Sequence, residues 1–255
     1  MYSEFLPAFI GNAAVNLALE LPGVVGGGVS LPDILRFCAR YRRKGIASLF
    51  VSGVPDGLHR ELSNSGHAFA HYLSLEGDAG KATSKAAPLF DAVAANDLAC
   101  AREIAQRSRP TWNPELEYEE DFLYIRWLMM RFLLAAAAEE CGELLAMYEA
   151  VVGDASEPRL DVCRALHEGD APAFGAAVCA LLETQENRYR GWVAANVVVP
   201  EVVATEARLN VEGLALVRLA ELGGLATEAN YLTVPSLARE NLPETFDPAA
   251  WQRPM

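Results

Sequence analysis

Apolar positions recur along this chain at helical spacing, and turn residues break them at regular intervals. Ser30-Leu31-Pro32-Asp33 reads as a helix start, with Ser30 as N-cap and Pro32 in the first turn. The helix predicted from it runs through ILRFCARYRRK, carries basic residues in its last turn and stops at Gly45. Asp56 is placed to cap GLHRELSNSGHAFAHYLSLEG, which ends at Gly77. Between them IASLFVSG (46–53) is short and β-prone, but no nearby segment offers a partner strand, so it reads as a buried connector. The loop RSRPTWNPE and the break at 153–158 separate later helices. VVVPEVV around Pro200 reads as a helix junction, because proline removes a ladder donor. The pattern predicts an all-α fold, a multi-helix bundle of stacked hairpins with about ten helices and no sheet of three or more strands.

Residues 205–239, TEARLNVEGLALVRLAELGGLATEANYLTVPSLAR, carry the most informative pattern. They predict an apolar helix with two glutamates, Glu206 and Glu212, flanking the stripe Leu209, Val211, Leu214 and Leu216. Gly213 in mid-helix costs about 1 kcal/mol relative to alanine, so it is expected to mark a close approach of another element. A buried carboxylate without a partner is costly. Glu206 and Glu212 are therefore expected to be at least half buried and to meet Arg or Tyr.

A weak internal duplication sets FDAVAANDLACAREIA (90–105) beside CRALHEGDAPAFGAAV (163–178). In both, a short apolar helix ends in Asn-Asp or Gly-Asp, at Asp97 and Asp170, and a second helix follows at once. Paired helices turning at such corners are how helical arrays stack, although two degenerate copies do not make a solenoid. The small, polar stretch GDAGKATSK (77–85) suggests a division into an N-terminal helical region, 1–80, and an acidic helical domain, 86–255. One continuous domain is the alternative.

Charge sharpens that division. Residues 1–85 hold 8 Lys or Arg and 7 Asp or Glu, whereas the other 13 basic and 27 acidic residues give 86–255 a net charge of −14. Such a body repels nucleic acid and attracts basic partners. The 255 residues are 52% hydrophobic and 22% charged, too apolar for disorder. Cys38, Cys100, Cys141, Cys163 and Cys179 are scattered, form no C-x-x-C pair and suit reduced, buried thiols. The apolar start MYSEFLPAFIGNAAVNLALELPG lacks a basic n-region. No stretch reaches the roughly 18 charge-free apolar residues of a membrane span. The chain is expected in the cytoplasm.

Candidate chemistry is sparse. His67 and His71 stand at i and i+4, with His59 and Glu61 upstream, a spacing that can chelate a metal; a glutamate after the first histidine is missing. An amphipathic helix edge is the competing and preferred account. Glu119, Glu120, Asp121, Glu206 and Glu212 lack the Glu-x-x-His pairs of a di-iron bundle, and GVVGGGVS (23–30) lacks a phosphate-loop lysine. No catalytic residue, metal or cofactor is expected. Glu115, Glu117, Glu119, Glu120 and Asp121 place five carboxylates within seven residues, with Tyr118 inside and Trp112 just upstream. They fit either a solvated helix start, where the macrodipole favours acids, or a recognition patch of aromatic anchors ringed by steering charges.

Three segments in this order carry a family resemblance: FDAVAANDLACAREIAQRSRPTWNPELEYEEDFLY (90–124), RLDVCRALHEGDAPAF (159–174), and EARLNVEGLALVRLAE with YLTVPSLAR near the end. Over roughly residues 88–240 the chain resembles immunity protein family 49 of bacterial polymorphic toxin systems. The resemblance implies a predominantly helical protein, encoded beside a toxin, that protects its own cell by binding and blocking that toxin. Toxins of such systems are often nucleases, basic because they hold phosphates, which an acidic partner would complement. The resemblance supplies no catalytic residues. The expected partner is a basic cognate toxin, with no nucleic acid and no membrane. A helical adaptor for another basic partner and a metal-dependent enzyme stay open beside it.

Overall fold

In the computed structural model, which describes residues 3–240 and 245–254, the caps read from the sequence build an all-α bundle. Among the described residues there are eleven α-helices and no strands, the nearest approach to a sheet being a single bridge between Tyr231 and Val234. The helices are α1 (Leu6–Val25), α2 (Leu31–Ser52), α3 (Asp56–Leu75), α4 (Ala87–Ala94), α5 (Leu98–Arg107), α6 (Glu119–Phe132), α7 (Ala138–Val152), α8 (Pro158–Glu168), α9 (Ala171–Ala194), α10 (Pro200–Ala204) and α11 (Val211–Leu222).

Ser30 caps α2 as expected, its Oγ accepting from Asp33 N at 3.4 Å. The expected stop at Gly45 is wrong. The helix continues through 46–53 and ends at Gly53, whose φ of 68° makes it the left-handed cap. The supposed connector is therefore the last two turns of α2. Gly45 is there for proximity: a Cβ on it would lie 3.0 Å from Glu61 Cβ and 3.1 Å from the Leu58 carbonyl oxygen. One helical glycine costs about 1 kcal/mol, and burial of Ile46, Ala47 and Leu49 directly after it outweighs that. Asp56 is the first residue of α3 rather than its cap, and α3 ends two residues before Gly77.

Gly66 in α3 serves the same purpose against other helices. A Cβ on Gly66 would lie 2.9 Å from both Ala92 Cβ and Cys100 Sγ, so α3 seats directly on α4 and α5. Leu62 and Ala68 of α3 thus share one buried cluster with Val93, Trp127 and Leu214, and that core runs across residues 77–85. Gly213 is not in mid-helix as expected, because α11 begins at Val211 and the Asn210 side chain caps it by accepting from Gly213 N at 2.7 Å, but the expected close approach is present. A Cβ there would meet Leu182 Cδ2 of α9 at 2.7 Å and Val234 Cγ2 at 3.1 Å.

The two halves of the suspected duplication share their corner geometry. Asn96 (φ 65°) and Gly169 (φ 74°) are left-handed, and the following aspartates cap the next helix. Asp97 accepts from Cys100 N at 3.1 Å, and Asp170 from Ala173 N at 2.9 Å. The likeness fades beyond the corners. Glu119 to Asp121 open α6, whereas Glu206 lies in the turn between α10 and α11 rather than ahead of a stripe on one helix.

Helix α1 lays Leu6, Ala13, Leu17 and Val24 on the interior and leaves Val15 and Leu19 exposed. Its 20 residues carry one charge, Glu20, which pairs with Arg40 at 2.7 Å. By length and composition it is the one helix among the described residues that could cross a membrane, although Glu20 keeps it from being free of charge. The cysteines are all free thiols; Cys38, Cys100, Cys141 and Cys163 are buried and only Cys179 is exposed. Burial pushes the Cys100 and Cys163 thiols well above the usual range, which keeps them unreactive.

Candidate functional site

The acidic segment before α6 is held on a pinned loop. Glu117 is buried, and its carboxylate accepts from Ser84 N at 2.5 Å and from Asn113 N at 3.2 Å. The Trp112 indole donates to the Glu117 carbonyl at 3.0 Å. Asn113 Nδ2 donates to the carbonyls of Ala79 (3.2 Å) and Lys81 (3.1 Å), and Thr83 Oγ1 to that of Arg109 (2.7 Å). Glu117 is thus removed from the expected contact surface, because its charge is used inward to satisfy backbone donors. Asp121 is half-buried and accepts from Arg159 Nη1 at 3.2 Å, so it faces the interior cleft described below. What remains outside is an aromatic and acidic face: Tyr118, 70% exposed, Trp112, 37% exposed, and Glu115, Glu120 and the partly exposed Glu119.

Glu206 and Glu212 meet the expected fate, on separate elements. Glu212, the second residue of α11, takes a two-pronged guanidinium from Arg159 (Nε–Oε1 2.9 Å, Nη2–Oε2 3.1 Å). It also accepts from the Tyr124 hydroxyl at 3.1 Å and Gln185 Nε2 at 2.8 Å. Four accepted hydrogen bonds saturate a carboxylate. Arg159 lies over the Tyr124 ring at 5.1 Å. Glu206 accepts from Arg42 Nη1 at 3.3 Å and Arg43 Nε at 3.2 Å. Arg42 in turn grips Asp91, fully buried in α4, at 2.6 and 2.7 Å, and Ser65 Oγ donates to the same carboxylate. Burial works against the Arg42 and Arg159 charges, yet Asp91 with Glu206 and Glu212 with Asp121 hold both guanidiniums above their ordinary range.

Arg42 and Glu206 of one system and Arg159, Asp121 and Glu212 of the other line one cleft of about 240 Å³. Tyr124 and Tyr189 contribute aromatic walls. Burial pushes the Tyr124 hydroxyl well up, with Glu212 adding to it; burial and then Glu206 push the Tyr189 hydroxyl up to about 12. Both therefore stay protonated donors at neutral pH. One system ties α2 to α4 and to the turn before α11, and the other ties α6 and α8, with the neutral Gln185 of α9, to α11. Arg42, Asp91 and Arg159 are not among the candidates that the sequence pattern points to. Asp91 was the available signal, a lone carboxylate inside the apolar run LFDAVA of α4.

The two histidines do not converge. His67 Nε2 lies 3.0 Å from Asp97 Oδ2, whereas His71 turns to Trp251, with ring centroids 5.1 Å apart. His67, Asp97 and Cys100 do bring their potential ligand atoms within 4.8 Å of one another in the interior. The Asp97 carboxylate is already engaged, accepting from Ser63 Oγ at 2.6 Å and capping α5. Burial raises the Asp97 pKa, but the hydrogen bonds from His67 and Ser63 outweigh it and leave the carboxyl below its usual 3.8. A carboxyl lowered on folding stabilises fully above its unfolded pKa and loses that contribution as the pH falls through the lower folded value. Asp97→Ala should accordingly cost about 2 kcal/mol at pH 7, from a lost cap and an unpartnered Ser63. Urea unfolding repeated below about pH 3 should show the gap to wild type narrowing; an unchanged gap would assign the loss to packing alone. Compared with models of protein families, with curated proteins and with solved structures, the chain shows no match.

Proposed function

We propose that this chain is an immunity protein, which binds a basic cognate toxin in the cytoplasm and neutralises it by covering its active site. The carrying observation is the fixed loop that presents Trp112 and Tyr118 among Glu115, Glu119 and Glu120. Aromatic anchors ordered before binding lose little conformational entropy on association, and the surrounding carboxylates steer a basic partner while disfavouring nucleic acid. The family resemblance over roughly residues 88–240 and the −14 charge of 86–255 agree with this reading. It assigns the protein a binding role and no catalytic step. A helical adaptor for another basic protein would use the same face.

Affinity capture from the native host, with mass spectrometry of what is retained, separates the two: a toxin encoded beside this gene supports immunity, and an unrelated basic protein supports the adaptor. With the partner in hand, the triple variant Glu115→Lys, Glu119→Lys, Glu120→Lys should slow association at low salt by about tenfold or more and flatten its salt dependence. Trp112→Ala should instead speed dissociation by roughly thirtyfold, the scale of a hot-spot aromatic. Glu117 is left untouched, because reversing it would break the loop. Wild-type association by the triple variant in low salt would show a merely solvated helix start.

A further inference from the structure

Helix α1 has two apolar faces, and the fold covers only one of them. Leu6, Ala13, Leu17 and Val24 point into the bundle. Ala8, Gly11, Asn12, Val15, Ala18 and Leu19 recur at helical spacing on the opposite side, and all six are exposed. Leu19, 74% exposed, is the most exposed large hydrophobic side chain among the described residues, and Val15 is 61% exposed. A helix that is apolar all round is normally covered on every side. No charged residue lies between Phe5 and Leu19, and Glu20, the one charge of α1, is paired with Arg40. In a molecule of net charge −13, a second copy can meet this face without setting carboxylates against carboxylates.

The face is also complementary to itself. Reversed about Val15, it brings Gly11 and Asn12 level with Ala18 and Leu19, so the smallest position shares a layer with the largest. Gly11 leaves an open notch, because a Cβ built there meets nothing within 4 Å. At the ends, Phe5 and Val25, both exposed, fall level with each other. We propose that α1 pairs antiparallel with α1 of a second copy, about a twofold axis at Val15. Leu19 of each copy enters the hole between Ala8, Gly11, Asn12 and Val15 of the other, the interlocking by which helices pack. The two Val15 side chains meet on the axis. Such an isologous contact closes at two copies and needs no second patch. Lipid fits this face less well. An interfacial helix carries basic residues beside its apolar face, and α1 has none. Spanning a bilayer would strip Leu6, Ala13, Leu17 and Val24 from the core. One helix pair about 30 Å long buries less than a standard interface of about 1,600 Å², so the dimer is reversible, with micromolar affinity. It uses no residue of the face that presents Trp112 and Tyr118, and it stands or falls independently of the proposed function.

Sedimentation equilibrium of the full chain between about 1 and about 200 µM tests this, because self-association depends on concentration. A monomer–dimer equilibrium is expected, and Leu19→Glu should weaken it at least about a hundredfold by burying an unpaired charge twice over. Gly11→Met should weaken it about tenfold by filling the notch, while the monomer stays folded because the position is open. The register has its own readout. In a Cys179→Ser background, which removes the exposed thiol, Val15→Cys should form an intermolecular disulfide under mild oxidation. Ala8→Cys should not, because the two copies of residue 8 would lie about 20 Å apart along the pair. A chain that stays monomeric throughout the range would overturn the proposal, as would a dimer that Leu19→Glu leaves intact. Binding to phosphatidylcholine–phosphatidylglycerol vesicles in place of self-association would overturn it as well and assign the face to lipid.

Discussion

Replacing Arg42 by Met is expected to destabilise the fold by about 3–5 kcal/mol, the cost of stranding a buried charge. Asp91 has no access to solvent, and Arg42 supplies two of its three hydrogen bonds, leaving only Ser65 Oγ. Burial is already the largest influence on Asp91 and pushes its carboxyl up. Without the guanidinium this carboxyl should protonate on folding. A carboxyl whose folded pKa lies above its unfolded one costs stability at neutral pH, and that cost is relieved as the pH falls through the folded value. The variant should therefore regain part of its deficit on mild acidification, the reverse of Asp97→Ala, whose deficit closes because the wild type loses its advantage. Adding Asp91→Leu should restore most of the loss, since a packed apolar pair commonly replaces a buried ion pair at little cost. Urea unfolding of the two single variants and the double variant forms a cycle. A single-variant loss below about 1 kcal/mol would mean that water reaches Asp91 and that the clamp between α2 and α4 is soft.

The sequence made the helical class and the burial of Glu206 and Glu212 legible because both follow from local rules. A carboxylate beside an apolar stripe must be exposed or paired, and Gly213 signalled which. What stayed hidden was long-range. Arg42 and Arg43 look like a basic helix end until α2 continues past Gly45, which then turns them toward Glu206 rather than toward solvent. Glycine ends helices by its freedom and sits inside them for its size, and only the neighbour across the contact, here Leu58 and Glu61, distinguishes the two. Glu117 failed in the same way. Five acids within seven residues look alike by composition, but the one at 117 is taken by the backbone donors of Ser84 and Asn113, 33 and 4 residues away. The candidate surface was thus legible as a segment, while its division into inward and outward carboxylates required tertiary structure.

Trp127→Ala should lower stability by about 3–5 kcal/mol, the range for removing a buried Trp without refilling its space. Trp127 is fully buried in α6, and its indole donates to the Cys141 carbonyl in α7 at 3.1 Å. The ring edges of Phe132 and His167 close around it, with centroids 6.3 and 6.4 Å away. It therefore fastens α6, whose N-terminus carries the exposed acidic face, to α7 and α8. For a chain of this size the loss should appear as a fall of roughly 10 °C in the thermal midpoint. Trp127→Phe keeps much of the packed volume and forfeits mainly the hydrogen bond, so it should cost only about 1–3 kcal/mol. Together the two separate the volume of the side chain from its polar tip. The alanine variant also bears on function. The loop bearing Trp112 and Tyr118 is pinned by Glu117 and Asn113 to residues 79–84, not by Trp127. The folded fraction should then bind its partner with near-wild-type dissociation kinetics, even where little protein is folded. Faster dissociation from the folded fraction would show that the face depends on how α6 is seated, and the loop network alone would no longer explain its rigidity.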